Sequence, residues 1–144
     1  MNAPPQTRVS AYAVVVEDGR MLLARLSAAS PVFAPGLWHL PGGGIDPGEQ
    51  PVRGLARELL EETGRELLDA RLLDARSYAV RRQGIDWHLV GLFYAVTLKA
   101  GAATVAETDG STDAARWIPL AELRPSALSP AAVDALRLLG AAVR

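Results

Sequence analysis

Cysteine is absent from this chain of 144 residues. The protein therefore has no disulfide bonds, no thiolate ligands for a metal ion and no cysteine nucleophile. Long apolar runs are also missing, because no stretch approaches the roughly 20 residues that a membrane-spanning helix needs. These absences favour a globular protein whose chemistry depends on oxygen and nitrogen groups, and we expect no membrane partner.

A large excess of charge of either sign is missing too. Fifteen Lys and Arg residues face sixteen Asp and Glu residues, for a net charge of −1. Nucleic-acid-binding proteins usually show a basic face, so we expect no nucleic-acid partner. Residues 1–7 lack the charged start and apolar core of a signal peptide. We therefore expect a cytoplasmic protein, with residues 1–7 as a disordered stub and residues 8–144 as one domain.

Glycines and clustered carboxylates are present in the segment GGGIDPGEQPVRGLARELLEETGR, which runs from Gly42 to Arg65. Its Glu58, Glu61 and Glu62 are three and four residues apart, so a helix would place them on one face. Carboxylate oxygens are ligands that Mg²⁺ and Mn²⁺ prefer, and a bound cation could grip a diphosphate. Taken alone, a charged helix face is usually only a solvated face. The residues around the glutamates are therefore needed to distinguish a metal site from an ordinary surface.

That wider pattern resembles the Nudix box, G-x5-E-x7-R-E-U-x-E-E-x-G-U, in which U is a bulky aliphatic residue. Leu59 fills the first aliphatic position, whereas Arg65 departs from the pattern at the last one. Because Gly and each charged residue type make up roughly 6–7% of an average protein, seven such matches arise by chance about once in 10⁸ placements. All seven fixed residues are present: Gly43, Glu49, Arg57, Glu58, Glu61, Glu62 and Gly64.

The resemblance implies a metal-dependent hydrolase that cleaves a nucleoside diphosphate linked to another group, with Mg²⁺ or Mn²⁺ as cofactor. It implies that Glu58 and Glu62 are the main metal ligands and that Glu61 is either a ligand or the general base. In similar proteins a backbone carbonyl just before the box glycine joins the metal shell, which corresponds to Gly42 here. Glu49 would hold a second ion through water.

Arg57 is the predicted partner of Glu61 in catalysis. It lies four residues earlier on the predicted helix, so its guanidinium can reach the Glu61 carboxylate and hold it in place. The alternative is an ordinary surface pair on a helix.

The sequence around the box predicts a layered α/β domain. Pro51 suits the first turn of a helix that runs to about Thr63 with Gly64 as its cap, and Val52, Leu55, Ala56 and Leu59 form its apolar stripe. Ser129 caps a second helix that begins at Pro130. Strands interleaved with two helices favour an α/β/α sandwich around a mixed sheet, which is the Nudix fold. The strands are predicted at 8–17, 20–26, 38–40, around 72–80, 87–98 and 116–120.

Three residues outside the box are predicted to bind substrate. Arg25 ends the second strand, where similar enzymes present an arginine to phosphates. Trp38 precedes the glycines and could stack on a base or fill the core. Arg81 stands near a turn, where it could contact phosphate or cap a hairpin. His39 and His88 lie in apolar strand contexts and are interpreted as structural histidines.

The substrate and the remaining acidic residue stay open at this point. Glu107, Asp109 or Asp113 could supply an extra acidic ligand or base, because similar proteins often use this region. We expect a nucleoside triphosphate or a similar small nucleotide. The alternatives are a Nudix-fold sensor that binds a nucleotide without cleaving it and an RNA cap-processing enzyme. Many similar proteins are homodimers, so a homodimer is a further expectation.

Overall fold

The computed structural model of the protein describes residues 3–101 and 112–140. In this part of the chain two α-helices, α1 (Pro51–Thr63) and α2 (Pro130–Leu138), accompany two short 3₁₀ helices at Leu120–Glu122 and Pro125–Ala127. The strands in chain order are β1 (Gln6–Val14), β2 (Val16–Glu17), β3 (Arg20–Leu26), β4 (Trp38–His39), β5 (Gly42–Gly44), β6 (Leu67–Arg82), β7 (Ile85–Leu98) and β8 (Thr112–Pro119).

The strands form two four-stranded sheets. The first has the order β5-β1-β7-β6 and is mixed, because β1 and β7 run parallel while its other pairs are antiparallel. The second is antiparallel and centred on β3, which pairs with β2, β4 and β8. The predicted α/β class, with a mixed sheet and two helices, is therefore confirmed, and the structure adds the division of the strands between two sheets.

The strand predicted over 8–17 changes sheets at Val15. Its first part is β1 in the mixed sheet, and its last part is β2, which turns back into β3. The turn residues Asp18 and Gly19 both have positive φ, 52° and 73°, as a two-residue hairpin turn requires. The backbone N–H of Leu22 donates to the Val15 carbonyl at 3.0 Å, which holds the crossing point in place.

Several strands are longer than the sequence predicts. Strand β1 begins at Gln6, whose partner in β7 is Trp87, so pairing starts two residues before the expected boundary at residue 8. Strand β6 spans sixteen residues where 72–80 was expected. It is an edge strand with many exposed charged side chains, so apolar periodicity marks only part of it. Backbone pairing with β7 determines its length.

Alternate residues of β1 point into two separate cores, one on each face of the mixed sheet. One face packs against α1 through Leu55 and Leu59. The other face packs against α2 through Ala132 and Leu136. The β1 side chains facing α1 are Ala11 and Ala13, and those facing the second core are Tyr12 and Val14. Helices on both faces of a sheet explain why this strand is apolar on both sides.

Helix α1 begins and ends as predicted. Pro51 occupies its first turn, and Gly64 follows in the left-handed region with φ 69°, donating its N–H to the Leu60 carbonyl at 3.0 Å. Val52 was predicted in the apolar stripe, but it is 38% exposed because the first turn of α1 extends beyond the sheet-facing core.

Arg65 takes the place of the last aliphatic residue of the box and is nevertheless buried. Its Nη2 donates to the Lys99 carbonyl at 2.7 Å, and its guanidinium lies 5.9 Å from the ring centroid of Trp117. An arginine can bury its methylene stem while its charged head stacks on an aromatic face. The substitution therefore preserves burial at the end of α1.

Helix α2 is capped as predicted. The Ser129 hydroxyl accepts the backbone N–H of Ala132 at 3.1 Å, and Pro130 occupies the first turn. Among the described residues, no helix is long and apolar enough to cross a membrane.

Two neighbouring leucines on α1 test this packing. Leu59 is fully buried, whereas Leu60 is 50% exposed. We expect Leu59→Ala to lower the free energy of unfolding by about 2–5 kcal/mol, because it leaves a cavity under the helix. Leu60→Ala is the matched control and should change it by less than about 0.5 kcal/mol. Urea denaturation followed by circular dichroism measures both, and equal losses would contradict the packing described here.

Candidate active site

The glycine strand β5 lies directly against the acidic face of α1. The backbone N–H of Gly42 donates to Glu62 Oε2 at 3.0 Å. A Cβ built on Gly43 would lie 3.1 Å from the carboxyl carbon of Glu58 and 3.2 Å from both its oxygens. Gly42 itself has φ 131°, and a Cβ there would collide with the Ala11 carbonyl oxygen. Glycines at these two positions allow the backbone to approach both carboxylates.

Arg57 is the centre of the charged groups on α1. Its Nε and Nη2 donate to the two carboxylate oxygens of Glu49 at 2.9 and 3.0 Å, which is a bidentate pair. Its Nη1 donates to Glu58 Oε1 at 3.0 Å and lies 3.6 Å from Glu61 Oε2. Its Nη2 also approaches the Gly44 carbonyl at 3.3 Å. One guanidinium thus links three glutamates and the glycine strand.

The contacts between Arg57 and Glu49 shift the pKa values of both groups. Hydrogen bonds from Arg57, with a further one from the Asp46 backbone N–H, lower the pKa of Glu49 to about 2. Hydrogen bonding to Glu49 raises the pKa of Arg57 despite the opposing effect of partial burial. Both groups are therefore charged throughout the physiological pH range, and the pair persists there.

Three of the five predicted metal ligands lie together at β5: Gly42, Glu58 and Glu62. Their oxygen atoms suit a hard divalent ion. Glu58 and Glu62 present carboxylate oxygens beside β5, and the Glu58 carboxylate occupies the space above Gly43. Within residues 3–101 and 112–140, however, no three acidic or histidine side chains already converge around one metal position. Glu58 and Glu61 lean toward Arg57, while Glu62 faces Gly42. Mg²⁺ commonly uses only one or two carboxylates and takes its other ligands from water and phosphate, so this arrangement fits such an ion.

A cleft with a volume of about 40 Å³ adjoins Gly42 and Glu62. Small-molecule sites are typically clefts of about 300–1,000 Å³, so this cleft by itself does not hold a nucleotide. The wall here is largely aromatic and aliphatic, and it includes one histidine and one arginine side chain. The lining residues include Arg8, Ser10, Tyr12, Phe33, His39 and Leu89.

Two of the predicted substrate-binding residues lie together but outside this cleft. Arg25 and Trp38 are direct partners on β3 and β4, and the Arg25 guanidinium is 5.8 Å from the Trp38 ring centroid. Arg25 Nε also donates to Asp113 Oδ1 at 2.8 Å, and Arg116 stacks near the same ring at 5.9 Å. Trp38 precedes His39 in the strand, so the two side chains point to opposite faces. Trp38 was expected beside the substrate, but the residue of this strand that lines the cleft is His39.

The third predicted substrate-binding residue, Arg81, lies at the tip of the β6–β7 hairpin. Its Nη1 donates to Asp86 Oδ1 at 2.9 Å across the strands. Gly91 of β7 lies level with β5, because both pair with Ser10 of β1. Asp86 is five residues before Gly91 on the same strand, so it lies roughly 16 Å from that level. Arg81 is therefore placed to cap the hairpin. Of the candidate acidic residues, Asp113 pairs with Arg25, while Glu107 and Asp109 lie outside the described residues.

Arg8 and Tyr12 are the site residues that the sequence analysis missed. The Arg8 guanidinium packs on Gly44, since a Cβ built there would lie 2.8 Å from Arg8 Cζ. Tyr12 lines the cleft, and burial raises the pKa of its hydroxyl to about 12. The sequence predicted that both residues lie on one strand. It could not show that this strand pairs with β5, and that pairing is what brings Arg8 and Tyr12 to the site.

Known proteins resemble this chain over most of its length. Residues 4–139 match the NUDIX domain. A MutT NUDIX hydrolase from Burkholderia pseudomallei is 34% identical with a TM-score of 0.79, and the match covers 93% of this chain and 98% of that one. The NUDIX domain of Shewanella oneidensis NrtR, solved with ADP ribose, has the same fold at 24% identity and a TM-score of 0.63, over 83% of this chain and 76% of that one.

A shorter stretch is similar to a curated enzyme. Fifty-five residues are 44% identical to nucleoside triphosphatase NudI of Escherichia coli O1:K1. The match spans 38% of this chain and 38% of that relative, which is less than two thirds of either length.

The Glu49–Arg57 pair makes a testable contribution to pH-dependent stability. Folding lowers the pKa of Glu49 from 4.5 to about 2. The ionised carboxylate therefore stabilises the folded state fully above pH 4.5, and this stabilisation is lost as the pH falls toward 2. We expect the free energy of unfolding to decrease less between pH 4.5 and 2 in Glu49→Gln than in the wild type. Denaturant unfolding at several pH values measures this, with the exposed Glu17→Gln as control. Identical pH slopes in Glu49→Gln and the wild type would contradict the pairing.

Proposed function

This chain belongs to the NUDIX family, and from that premise we propose that it is a pyrophosphohydrolase that uses Mg²⁺ to hydrolyse a nucleoside triphosphate or a similar small nucleotide. The observation that carries the proposal is the contact of Gly42 and Gly43 with the Glu62 and Glu58 carboxylates. It places backbone and acidic oxygens side by side, and Glu58 also lines an open cleft of about 330 Å³, which is within the size range of small-molecule sites.

The metal-holding residues in this proposal are Glu58, Glu62 and the carbonyl of Gly42. NUDIX hydrolases generally use divalent metals, and Mn²⁺ is the alternative to Mg²⁺. When bound, such an ion neutralises charge on phosphate oxygens and lowers the pKa of a bound water. The all-oxygen donor set, with the Glu58 carboxylate directly over Gly43, supports a hard cation of this kind.

Arg57 positions the acidic groups for the reaction. Its bidentate pair with Glu49 fixes the guanidinium, and the remaining nitrogen directs Glu58. Both oxygens of Glu49 are engaged in this way, so we assign it a positioning role instead of the second-ion role expected from sequence. Preorganised charge of this kind avoids reorganisation during the reaction.

Glu61 remains available as a ligand or as the base that takes a proton from the attacking water. Its side chain is 39% exposed and lies 3.6 Å from the Arg57 guanidinium, so it is open to solvent beside a fixed positive charge. Loss of that water proton to a carboxylate accompanies attack on phosphorus, and the P–O bond of the diphosphate bridge breaks. The products are a nucleoside monophosphate, or its equivalent, and the remaining phosphorylated half.

Arg8 is the group best placed to hold the substrate phosphates. Its guanidinium lies over Gly44, and Arg8 lines both the small cleft beside Gly42 and the larger cleft that Glu58 lines. Arginine binds phosphate through several N–H donors in a planar fork. Arg25 is less well placed, because it already forms an ion pair with Asp113.

The similarity to nucleoside triphosphatase NudI over 55 residues supports a nucleoside triphosphate as the substrate class. The chain retains every acidic residue of the box, and Arg57 organises three of them. That retention favours turnover over the alternative of a sensor that only binds. A cap-processing role is not favoured, since the net charge of −1 offers no excess of basic residues for an RNA chain.

Substitution of the carboxylates tests the proposal directly. We expect Glu58→Gln and Glu62→Gln to abolish hydrolysis of nucleoside triphosphates to the nucleoside monophosphate and diphosphate, because an amide binds a divalent ion far less well than a carboxylate. The panel should include canonical triphosphates, ADP-ribose, nucleotide sugars and coenzyme A, each with Mg²⁺, with Mn²⁺ and with EDTA. Glu66→Gln, outside the site, is the matched control and should retain wild-type turnover. Wild-type rates in Glu58→Gln, or rates insensitive to EDTA, would contradict the proposal.

A second substitution tests the positioning role of Arg57. Lysine keeps the charge but lacks the planar fork that engages Glu49 and Glu58. We expect Arg57→Lys to lower kcat by about 100-fold, the scale of loss when reacting groups are slightly misplaced. Arg53→Lys, one turn earlier on an exposed face, should leave kcat unchanged. An unaltered kcat in Arg57→Lys would overturn this role.

A further inference from the structure

We propose that strand β6 is the interface of a symmetric homodimer, in which its outer edge pairs antiparallel with β6 of a second copy of this chain. The twofold axis of the dimer passes through Leu72, perpendicular to the sheet. The mixed sheets of the two copies then join into one continuous sheet. This inference is independent of the proposed function, because β6 lies at the opposite edge of the sheet from the glycine strand β5.

The outer edge of β6 is free to pair. In the described part of the chain no strand pairs with that side of β6, which is the last strand of the mixed sheet and is sixteen residues long. Unpaired backbone N–H and C=O groups along such an edge are a template for another strand. Leu68 and Leu72 of this strand are 60% and 54% exposed, the largest exposed fractions of any large apolar side chain among the described residues.

Strand β6 begins with a tandem repeat of five residues, LLDARLLDAR, over residues 67–76. In an unbroken strand a period of five would place matching residues on opposite faces, because side chains alternate. The second leucine of each unit, Leu68 and Leu73, is instead an extra residue in a bulge, since its two neighbours pair with consecutive residues of β7. Each unit therefore pairs with four residues of β7, and matching residues of the two units share a face.

The charged residues of the repeat lie on one face of β6 and alternate in sign. They pair with every second residue of β7 and occur in the order Asp69, Arg71, Asp74 and Arg76. Counted along β7, Arg71 and Asp74 lie one position to either side of Leu72, so a twofold axis there places Arg71 opposite the partner's Asp74. Asp69 and Arg76 lie three positions to either side and face each other in the same way. The symmetry repeats both ion pairs, and cross-strand pairs of opposite charge stabilise a sheet.

Apolar side chains meet on the other face of the paired strands. Leu72 is level with Tyr94, whose side chain packs toward α1, and on the axis it lies directly opposite the partner's Leu72. Ala70 and Ala75 lie two positions to either side, so each faces the other across the interface. Cβ atoms of directly opposite residues are about 4.5–5.5 Å apart, which covers the exposed Leu72 side chain.

Two of the four charges have no counterpart within one copy. Asp69 and Arg71 are exposed, and within residues 3–101 and 112–140 they form neither a hydrogen bond nor an ion pair. Asp74 and Arg76 contact each other at 3.2 Å, yet each side chain remains 41% exposed. A second copy therefore supplies partners for the free charges and meets the other two at an accessible surface.

The charge order also rejects the neighbouring alignments of the two strands. An axis at Arg71 would place Arg71 against itself and Asp69 against the partner's Asp74. An axis at Asp74 would place Asp74 against itself and Arg71 against the partner's Arg76. Like charges directly opposite one another destabilise a sheet, so the register centred on Leu72 is selected.

Sedimentation velocity over a series from sub-micromolar to hundreds of micromolar protein measures the assembly. We expect a reversible dimer whose dissociation constant rises with salt concentration, because salt screens surface charges. Leu72→Lys places two like charges on the axis and should raise the dissociation constant at least about tenfold. Val16→Lys, at a 39% exposed residue of the other sheet, is the matched control and should leave it unchanged. A wild type that stays monomeric throughout, or a dimer that Leu72→Lys does not weaken, would overturn the proposal.

Charge reversal tests the register. Arg71→Asp and Asp74→Arg each create two like-charge pairs in a homodimer, so each variant alone should be monomeric at concentrations where the wild type is dimeric. An equimolar mixture of the two variants restores both pairs with their signs exchanged, and should form a one-to-one heterodimer. The double variant Arg71→Asp/Asp74→Arg should dimerise like the wild type. A mixture that does not associate would show that these residues do not face each other.

Asp69→Arg and Arg76→Asp allow the same experiment three positions from the axis. Circular dichroism melting checks that every variant is folded, and if one of the first set unfolds, the second set decides. Amide hydrogen exchange of the wild type requires no variant. Exchange within residues 67–77 should be slower at dimeric than at monomeric concentrations, whereas β2 in the other sheet serves as the internal reference. Exchange rates of β6 that do not depend on protein concentration in the dimeric range would refute the interface.

Discussion

The ion pair between Arg57 and Glu49 is the interaction on which the rest of the site depends. Glu49 precedes α1, whereas Arg57 lies in its second turn, so their bidentate contact ties the loop to the helix. The same guanidinium reaches Glu58, Glu61 and the Gly44 carbonyl. A buried or partly buried cluster of carboxylates repels itself unless a cation compensates, and Arg57 supplies that charge in the protein itself.

Close backbone approach is the second constraint. Gly42 and Gly43 lie where a side chain would strike the Ala11 carbonyl or the Glu58 carboxylate. The antiparallel pairing of β5 with β1 holds these glycines at the sheet edge, and α1 packs on that sheet through Leu55 and Leu59. The acidic face of the helix and the glycine strand are thus held together by the core beneath them.

Much of this arrangement was predictable because it is local in sequence. The helix signals at Pro51 and Gly64, the hairpin turn at Asp18-Gly19 and the cap at Ser129 each depend on a few adjacent residues. The extents of β1 and β6 were less predictable, since they follow from pairing with a distant strand. Edge strands with charged faces carry little apolar periodicity.

The sequence by itself determined the family, the α/β class and the set of glutamates and glycines on one helix and one loop, since spacing along a helix converts directly into a shared face. Only the tertiary structure decided what those residues contact: Glu49 binds Arg57, and Arg25 and Trp38 lie against each other outside the cleft. It also brought Arg8 and His39 to the site from separate strands. Contacts between strands distant in sequence depend on sheet order and register, which no local pattern encodes.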